Sequence, residues 1–327
     1  MFALNVQLGI RLPIDLLKTK PTPAIFQKWF LVLFLASMVV QCGCRCPWSC
    51  CNANLAESSR WLQGGLQAHH NGQHVRAERL LSQAVDSRPN DPILREHLAQ
   101  TYLHQGKTTE AISELMQAAE ISGHDASFLV KIGNLYLANG QQIPAQQYAT
   151  KALKSDRQLP EAWVLNAETK IAKGQLTDAL SDYQRALSLR NDAPEIQIRI
   201  AELQQLLGRP LRALSTVEQM LSGIPQPSQP EAALLLSGKL LIQLKQPAQA
   251  VEKLKIATNR DDASTDSHIQ LAQAQLSMGR TEDARTTLLA AQQKFPGVSI
   301  FQTKLNELGT GQERIAAVDL PTGEFVR

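Results

Sequence analysis

A small residue returns at a fixed interval through most of this chain. Ala77, Ala111, Ala145, Ala179, Ala213, Ala250 and Ala284 lie 34 residues apart at five of six steps and 37 apart at the other. Twelve positions before each stands Gly65, Ala99, Gly133, Ala167, Ala201, Gly238 or Ala272; seven after each stands Ala84, Ala118, Ala152, Ala186, Met220, Ala257 or Ala291. Five positions before each is a glycine, except in the sixth unit, where Lys245 takes the slot. Register held at that many positions marks an internal repeat, and a period of this length describes stacked supersecondary units rather than one globular core. Small residues on a helix let a second helix approach closely, and the glycine marks the turn between the two. Apolar side chains recur between them at helical spacing, as in Leu98, Tyr102, Ala111, Leu115 and Ala118. Each unit is therefore a helix, a short turn and a second helix. One hairpin cannot bury its own apolar face, so the units stack into an all-α solenoid.

The period and the filling of its slots resemble the tetratricopeptide repeat. The first unit carries Trp61, Gly65, Ala77, Leu81, Ala84 and Pro89, and the fourth Trp163, Ala167, Ala179, Tyr183 and Ala186. The last carries Leu271, Ala272, Ala284, Leu288, Ala291 and Pro296. The resemblance implies a right-handed solenoid of seven units over 58–298, divided as 58–91, 92–125, 126–159, 160–193, 194–230, 231–264 and 265–298. Pro92, Pro160 and Pro194 each open a unit, since proline suits the first turn of a helix. Ser58 and Ser59 are expected to cap the first helix, after a Cys-rich and then polar linker over 42–57. The fifth unit ends in residues 223–230, where three prolines forbid a continuing helix and account for the three surplus residues. That stretch reads as a longer surface loop, or as a change of superhelical pitch. An amphipathic capping helix is expected over 299–309, stopped by Gly309 and Gly311, with a loosely ordered tail over 310–327.

Residues 1–41 read as a signal or anchor segment. Lys18, Lys20 and Lys28 precede the uncharged stretch 29–40, WFLVLFLASMVV, which is the layout of a secretory leader and short for a membrane span. All five cysteines follow at once, at Cys42, Cys44, Cys46, Cys50 and Cys51, and the repeats have none. The arrangement resembles a bacterial lipoprotein leader, with Cys42 (or Cys44) as the acylated residue; an uncleaved anchor, simple secretion and no targeting stay open beside it. A metal reading of these thiols lacks the second half of a zinc site. The net charge of +3 belongs to the leader, which holds four basic groups against one acidic; the rest carries 29 of each, so no basic face for nucleic acid is expected.

Leader, units, cap and tail leave no segment for a catalytic domain, and no phosphate-cradling glycine loop follows a strand pattern. No cofactor and no metal are expected. His69, His70, His74, His97 and His104 crowd the first two units, and stacking puts the equivalent His70 and His104 roughly 10 Å apart, a spacing for exposed polar residues rather than for one ion.

The resemblance implies that the first helix of each unit lines an inner groove. Its fifth slot holds Leu62, Glu96, Val130, Val164, Ile198, Leu235 and Ile269; its ninth holds Leu66, Gln100, Asn134, Glu168, Glu202, Lys239 and Gln273. An aliphatic row beside a polar row suits an extended or helical peptide, and the aliphatic row serves equally for packing between neighbouring first helices. Some relatives of this kind grip a chaperone's C-terminal carboxylate with lysines and asparagines; Asn134 is present, but the fifth slot offers Leu62, Glu96 or Val130 in place of lysine. The implied role is a non-enzymatic scaffold or assembly factor that binds a protein or peptide on the exported side of a membrane. A polysaccharide-export accessory and a soluble cytoplasmic adaptor are the alternatives.

Overall fold

The computed structural model describes residues 47–318, with side chains over 56–308 apart from residue 227. The leader, Cys42, Cys44 and the last nine residues lie outside the described residues. Fifteen α-helices and no strand are present among those described. They form seven antiparallel pairs and a closing helix: α1 (Pro47–His70) with α2 (His74–Ser87), α3 (Pro92–His104) with α4 (Thr108–Ile121), α5 (Ala126–Ala138) with α6 (Gln142–Ser155), and α7 (Pro160–Ala172) with α8 (Leu176–Leu189). The series continues with α9 (Pro194–Leu206) and α10 (Pro210–Ser222), α11 (Glu231–Gln243) and α12 (Pro247–Thr258), α13 (Thr265–Ser277) and α14 (Thr281–Lys294), then α15 (Ser299–Val318). Each helix packs on its own partner and on the next pair, and no helices from non-adjacent pairs share a substantial contact. The chain is an α-solenoid whose core is a row of linked clusters.

The repeated alanines are the joints of that row. Ala77, Ala111, Ala145, Ala179, Ala213, Ala250 and Ala284 are all fully buried. Where the partner slot is glycine, the approach is closer still: a Cβ placed on Gly238 would sit 2.4 Å from Cγ of Leu254, inside any permissible contact. The turn slot is equally constrained. Its six glycines have φ between +71° and +76°, and Lys245, which replaces the seventh, holds φ +59°. Only glycine adopts that region without steric cost. Asp91, Asp125 and Ser264 cap the helices that follow them, by accepting from the backbone N–H of Ile93, Ser127 and Ser267.

Three expectations need correction. The first helix begins at Pro47 and not at Ser58, so part of the expected linker is helical. No proline or glycine interrupts 48–63, and alanine, leucine and glutamate there favour continuation. Ser58 is consequently no cap: it is buried within α1, and its Oγ accepts from Nε of Arg88 at 2.8 Å. At the other end, α15 runs through Gly309 and Gly311 to Val318. Each glycine costs a helix about 1 kcal/mol without forbidding it, and the segment 312–318 is otherwise made of good helix formers.

The proline-rich stretch after α10 contains a short 3₁₀ turn at Gln226–Ser228. Gln229 pins it by donating to the carbonyls of Leu221 and Ile224, and Arg260 donates to the carbonyl of Gln229 at 2.8 Å. Beneath it one core cluster passes without a break from Val217 and Leu221 to Leu234 and Leu240. The three extra residues are accommodated at the surface.

Candidate functional site

Successive first helices touch one another, α1 with α3, α5 with α7, α9 with α11 and α11 with α13; no two second helices share a contact of that extent. The odd-numbered helices thus lie along one face, in contact of that extent at four of its six steps. On that face the fifth-slot residues are the seam between pairs. Val130 is buried, and Leu62, Val164, Ile198, Leu235 and Ile269 are half-buried, each packed against a core cluster. Much of each aliphatic side chain is therefore committed to stacking.

The charged slots are also committed. Glu96 receives Nζ of Lys131 from the next first helix at 2.5 Å. Glu168 accepts from the hydroxyl of Tyr183 and lies 3.6 Å from Nε of Arg199, whose Nη1 reaches Glu202 at 2.9 Å. Tyr183 is fully buried, and that burial first, then the carboxylate of Glu168, pushes its phenol well above the usual range. Lys239 reaches Asp266 of the following first helix at 2.5 Å. Three ion pairs thus stitch α3 to α5, α7 to α9 and α11 to α13. Beneath this layer Asp182, almost entirely buried, takes Lys170 at 2.6 Å and Asn166 at 2.7 Å. Lys131, Arg199 and Asp266 are partners that slot reasoning did not supply. The signal that finds them is an opposite charge on the next first helix, 27 to 35 residues further along the chain.

What the ninth slot leaves without an ion pair is its amides, in units two, three and seven. Gln100, Asn134 and Gln273 are exposed. Asn134 and Gln273 make no side-chain hydrogen bond among the described residues, and Gln100 has only a long one, 3.4 Å, to Glu96. Leu66 is half-buried in the same slot of the first unit. An exposed carboxamide offers both a donor and an acceptor, the pair that an extended backbone presents in return.

His70 and His104 are exposed, as their slots imply, whereas His69 and His74 are half-buried. His69, His74 and His104 bring their rings together, with centroids 4.6 to 5.5 Å apart, where α1, α2 and α3 meet. His69 Nδ1 lies 3.3 Å from the hydroxyl of Thr101, and Nδ1 of His74 is buried without a hydrogen-bond partner. Burial, followed by the charges of His104 and His74, lowers the pKa of His69. No group of three His, Cys, Asp or Glu among the described residues is arranged to hold a metal ion. No helix among them is long and apolar enough to cross a membrane.

Sequence models of the tetratricopeptide repeat match residues 68–128, 126–159 and 241–305. The solved structure of a tetratricopeptide repeat protein from Parabacteroides merdae superposes on 77% of this chain and 99% of its own, with a TM-score of 0.58 at 17% identity. The chain belongs to the tetratricopeptide-repeat family. Pseudomonas aeruginosa pilF has the same fold, with a TM-score of 0.55 at 16% identity over 68% of this chain and 99% of that one. Among curated proteins, DnaJ homolog subfamily C member 3 of Gallus gallus is 25% identical over 158 residues, covering 45% of this chain and 31% of that protein. The human protein of that name is 24% identical over the same length. The chain thus spans about a third of the length of these curated relatives. Tetratricopeptide-repeat proteins generally bind peptides or other proteins, and the fold is typically a non-catalytic scaffold.

Proposed function

We propose that this chain is a non-catalytic scaffold or assembly factor that holds a partner protein or extended peptide along its first-helix face, and that it works at a cell envelope after export. The exposed carboxamides at Gln100, Asn134 and Gln273 carry this reading. These groups stand on a face whose charges are already paired within the chain, so they are the polar groups left to meet a ligand. Half-exposed aliphatic edges at Val164, Ile198 and Leu235, in the three units between Asn134 and Gln273, supply shallow apolar contacts. Envelope location is supported by the leader alone: basic residues, a short apolar stretch and then the cysteines. On this reading Cys42 (or Cys44) carries a lipid, and the membrane meets the chain only through that end.

The test is affinity capture from membranes with the intact tagged chain, wild type against a variant with Gln100→Ala, Asn134→Ala and Gln273→Ala. Exposed amides contribute little to folding, so the circular dichroism of the variant is expected to match the wild type. A partner retained by the wild type and lost from the variant supports the proposal; equal retention by both refutes it. Fractionation and the mass of the mature N-terminus address location separately. A chain found wholly in the cytosol with no added lipid ends the envelope proposal and leaves the binding face standing.

A further inference from the structure

The second-helix side carries a feature unrelated to the partner face. Between α4 and α6 lies a cavity of about 880 Å³, within the usual size range of small-molecule sites. Its floor is Leu129 and Ile132 of α5, and its walls are Ile112 and Met116 from α4 and Tyr148 from α6. A local substitution accompanies the opening: Leu129 occupies the fourth slot of its unit, where the first and fourth units have Trp61 and Trp163. Met116 is 44% exposed, an apolar side chain facing space and not a neighbour.

The rim is electrostatically lopsided. Lys151 and Lys154, one turn apart on α6, both line the cavity, and Nζ of Lys151 sits 4.8 Å above the ring of Tyr148. Neither ammonium has a carboxylate within 4 Å among the described residues, in contrast to Lys107, Lys131, Lys170, Lys239 and Lys253, which are all paired. Glu120 lines the opposite wall. Two ammonium groups against one carboxylate leave one positive charge, which matches a monoanion better than a doubly charged phosphate. The α4 wall runs from Thr109 to Glu120, about 16 Å of helix, so the cavity suits an extended ligand over a compact one.

We propose that this cleft binds a single-chain aliphatic carboxylate, a fatty-acid-like molecule. Its alkyl chain lies against Met116, Tyr148 and the accessible edges of Ile112 and Leu129, over the buried Ile132, and its head group meets Lys151 and Lys154. The test is isothermal titration of the intact chain with dodecanoate below its micelle concentration, with dodecanol and butyrate as ligands lacking the head or the tail. Expected are saturable one-to-one binding of dodecanoate, weaker binding of dodecanol and none of butyrate. Leu129→Trp, which installs the side chain found at this slot in two other units, is expected to abolish binding. Lys151→Gln with Lys154→Gln is expected to weaken dodecanoate roughly tenfold while leaving dodecanol unchanged. Absence of saturable binding by the wild type overturns the proposal, and so does equal binding by a folded Leu129→Trp. Should that variant lose its helical dichroism, the surface lysine pair decides: unchanged dodecanoate affinity there overturns the site.

Discussion

At the scale of single residues, two slots of the repeat act in opposite senses. Gly238 is where α11 meets Leu254 of α12, and the whole branched end of this fully buried leucine lies within 2.8 Å of where a Cβ would stand. Alanine at a helix interior normally gains about 1 kcal/mol over glycine, but overpacking a tight joint costs about 1–3 kcal/mol. Gly238→Ala is therefore expected to lower stability by about 1 kcal/mol, read as an earlier urea midpoint; an unchanged or later midpoint contradicts the close approach. Lys245 presents the reverse case. It holds a left-handed conformation that the other turns give to glycine, at a cost of roughly 1 kcal/mol. Lys245→Gly relieves that cost but adds freedom to the unfolded chain, so a net gain of about 0.5 kcal/mol is expected. A loss on the same denaturation curve runs against it.

At the scale of helices, the hairpins were legible because small residues have to recur wherever two backbones approach. The spacing of Gly65, Ala77 and Ala84 says that two helices meet, whatever surrounds them. Helix ends were less legible. Ser58 has the chemistry of a cap, yet capping needs the chain before it to leave the helix, and nothing in 48–57 makes it leave. Gly309 and Gly311 weaken α15 without ending it. Side-chain partners between pairs were least legible: Glu168 meets Arg199 and Lys239 meets Asp266 because of how one first helix leans on the next, which a slot table does not encode.

The histidine group is another product of that stacking, since α1, α2 and α3 each contribute one ring. Its effect on stability has a definite sign. The pKa of His69 is lowered in the folded chain, so below the unfolded value of about 6.5 the unfolded state takes up its proton first. Stability from this group is intact above that pH and falls as pH drops through it, levelling once the folded group is protonated as well. The thermal midpoint of the wild type is expected to fall more between about pH 7.5 and about pH 5.5 than that of His69→Gln, with carboxylate titration common to both. Parallel profiles for the two proteins contradict the assignment.

At the scale of the whole molecule, substantial contacts only between adjacent pairs mean that nothing among the described residues folds the array back on itself. A chain built in this way has a long surface for its size and no enclosed centre. That is why its faces, and not an interior, are where ligands are to be sought. The first-helix face and the cleft between α4 and α6 lie on opposite sides of α5: Val130 and Asn134 belong to one, Leu129 and Ile132 to the other. Occupation of one therefore does not obstruct the other.

Small-angle X-ray scattering from the intact chain at several dilutions tests this architecture most directly. A compact globule of 327 residues has a radius of gyration of about 20 Å and a symmetric pair-distance distribution. The stacked array predicts a radius well above that and a distribution skewed toward long distances. A symmetric distribution with a radius near about 20 Å contradicts the open solenoid, and with it the face on which the proposed function rests.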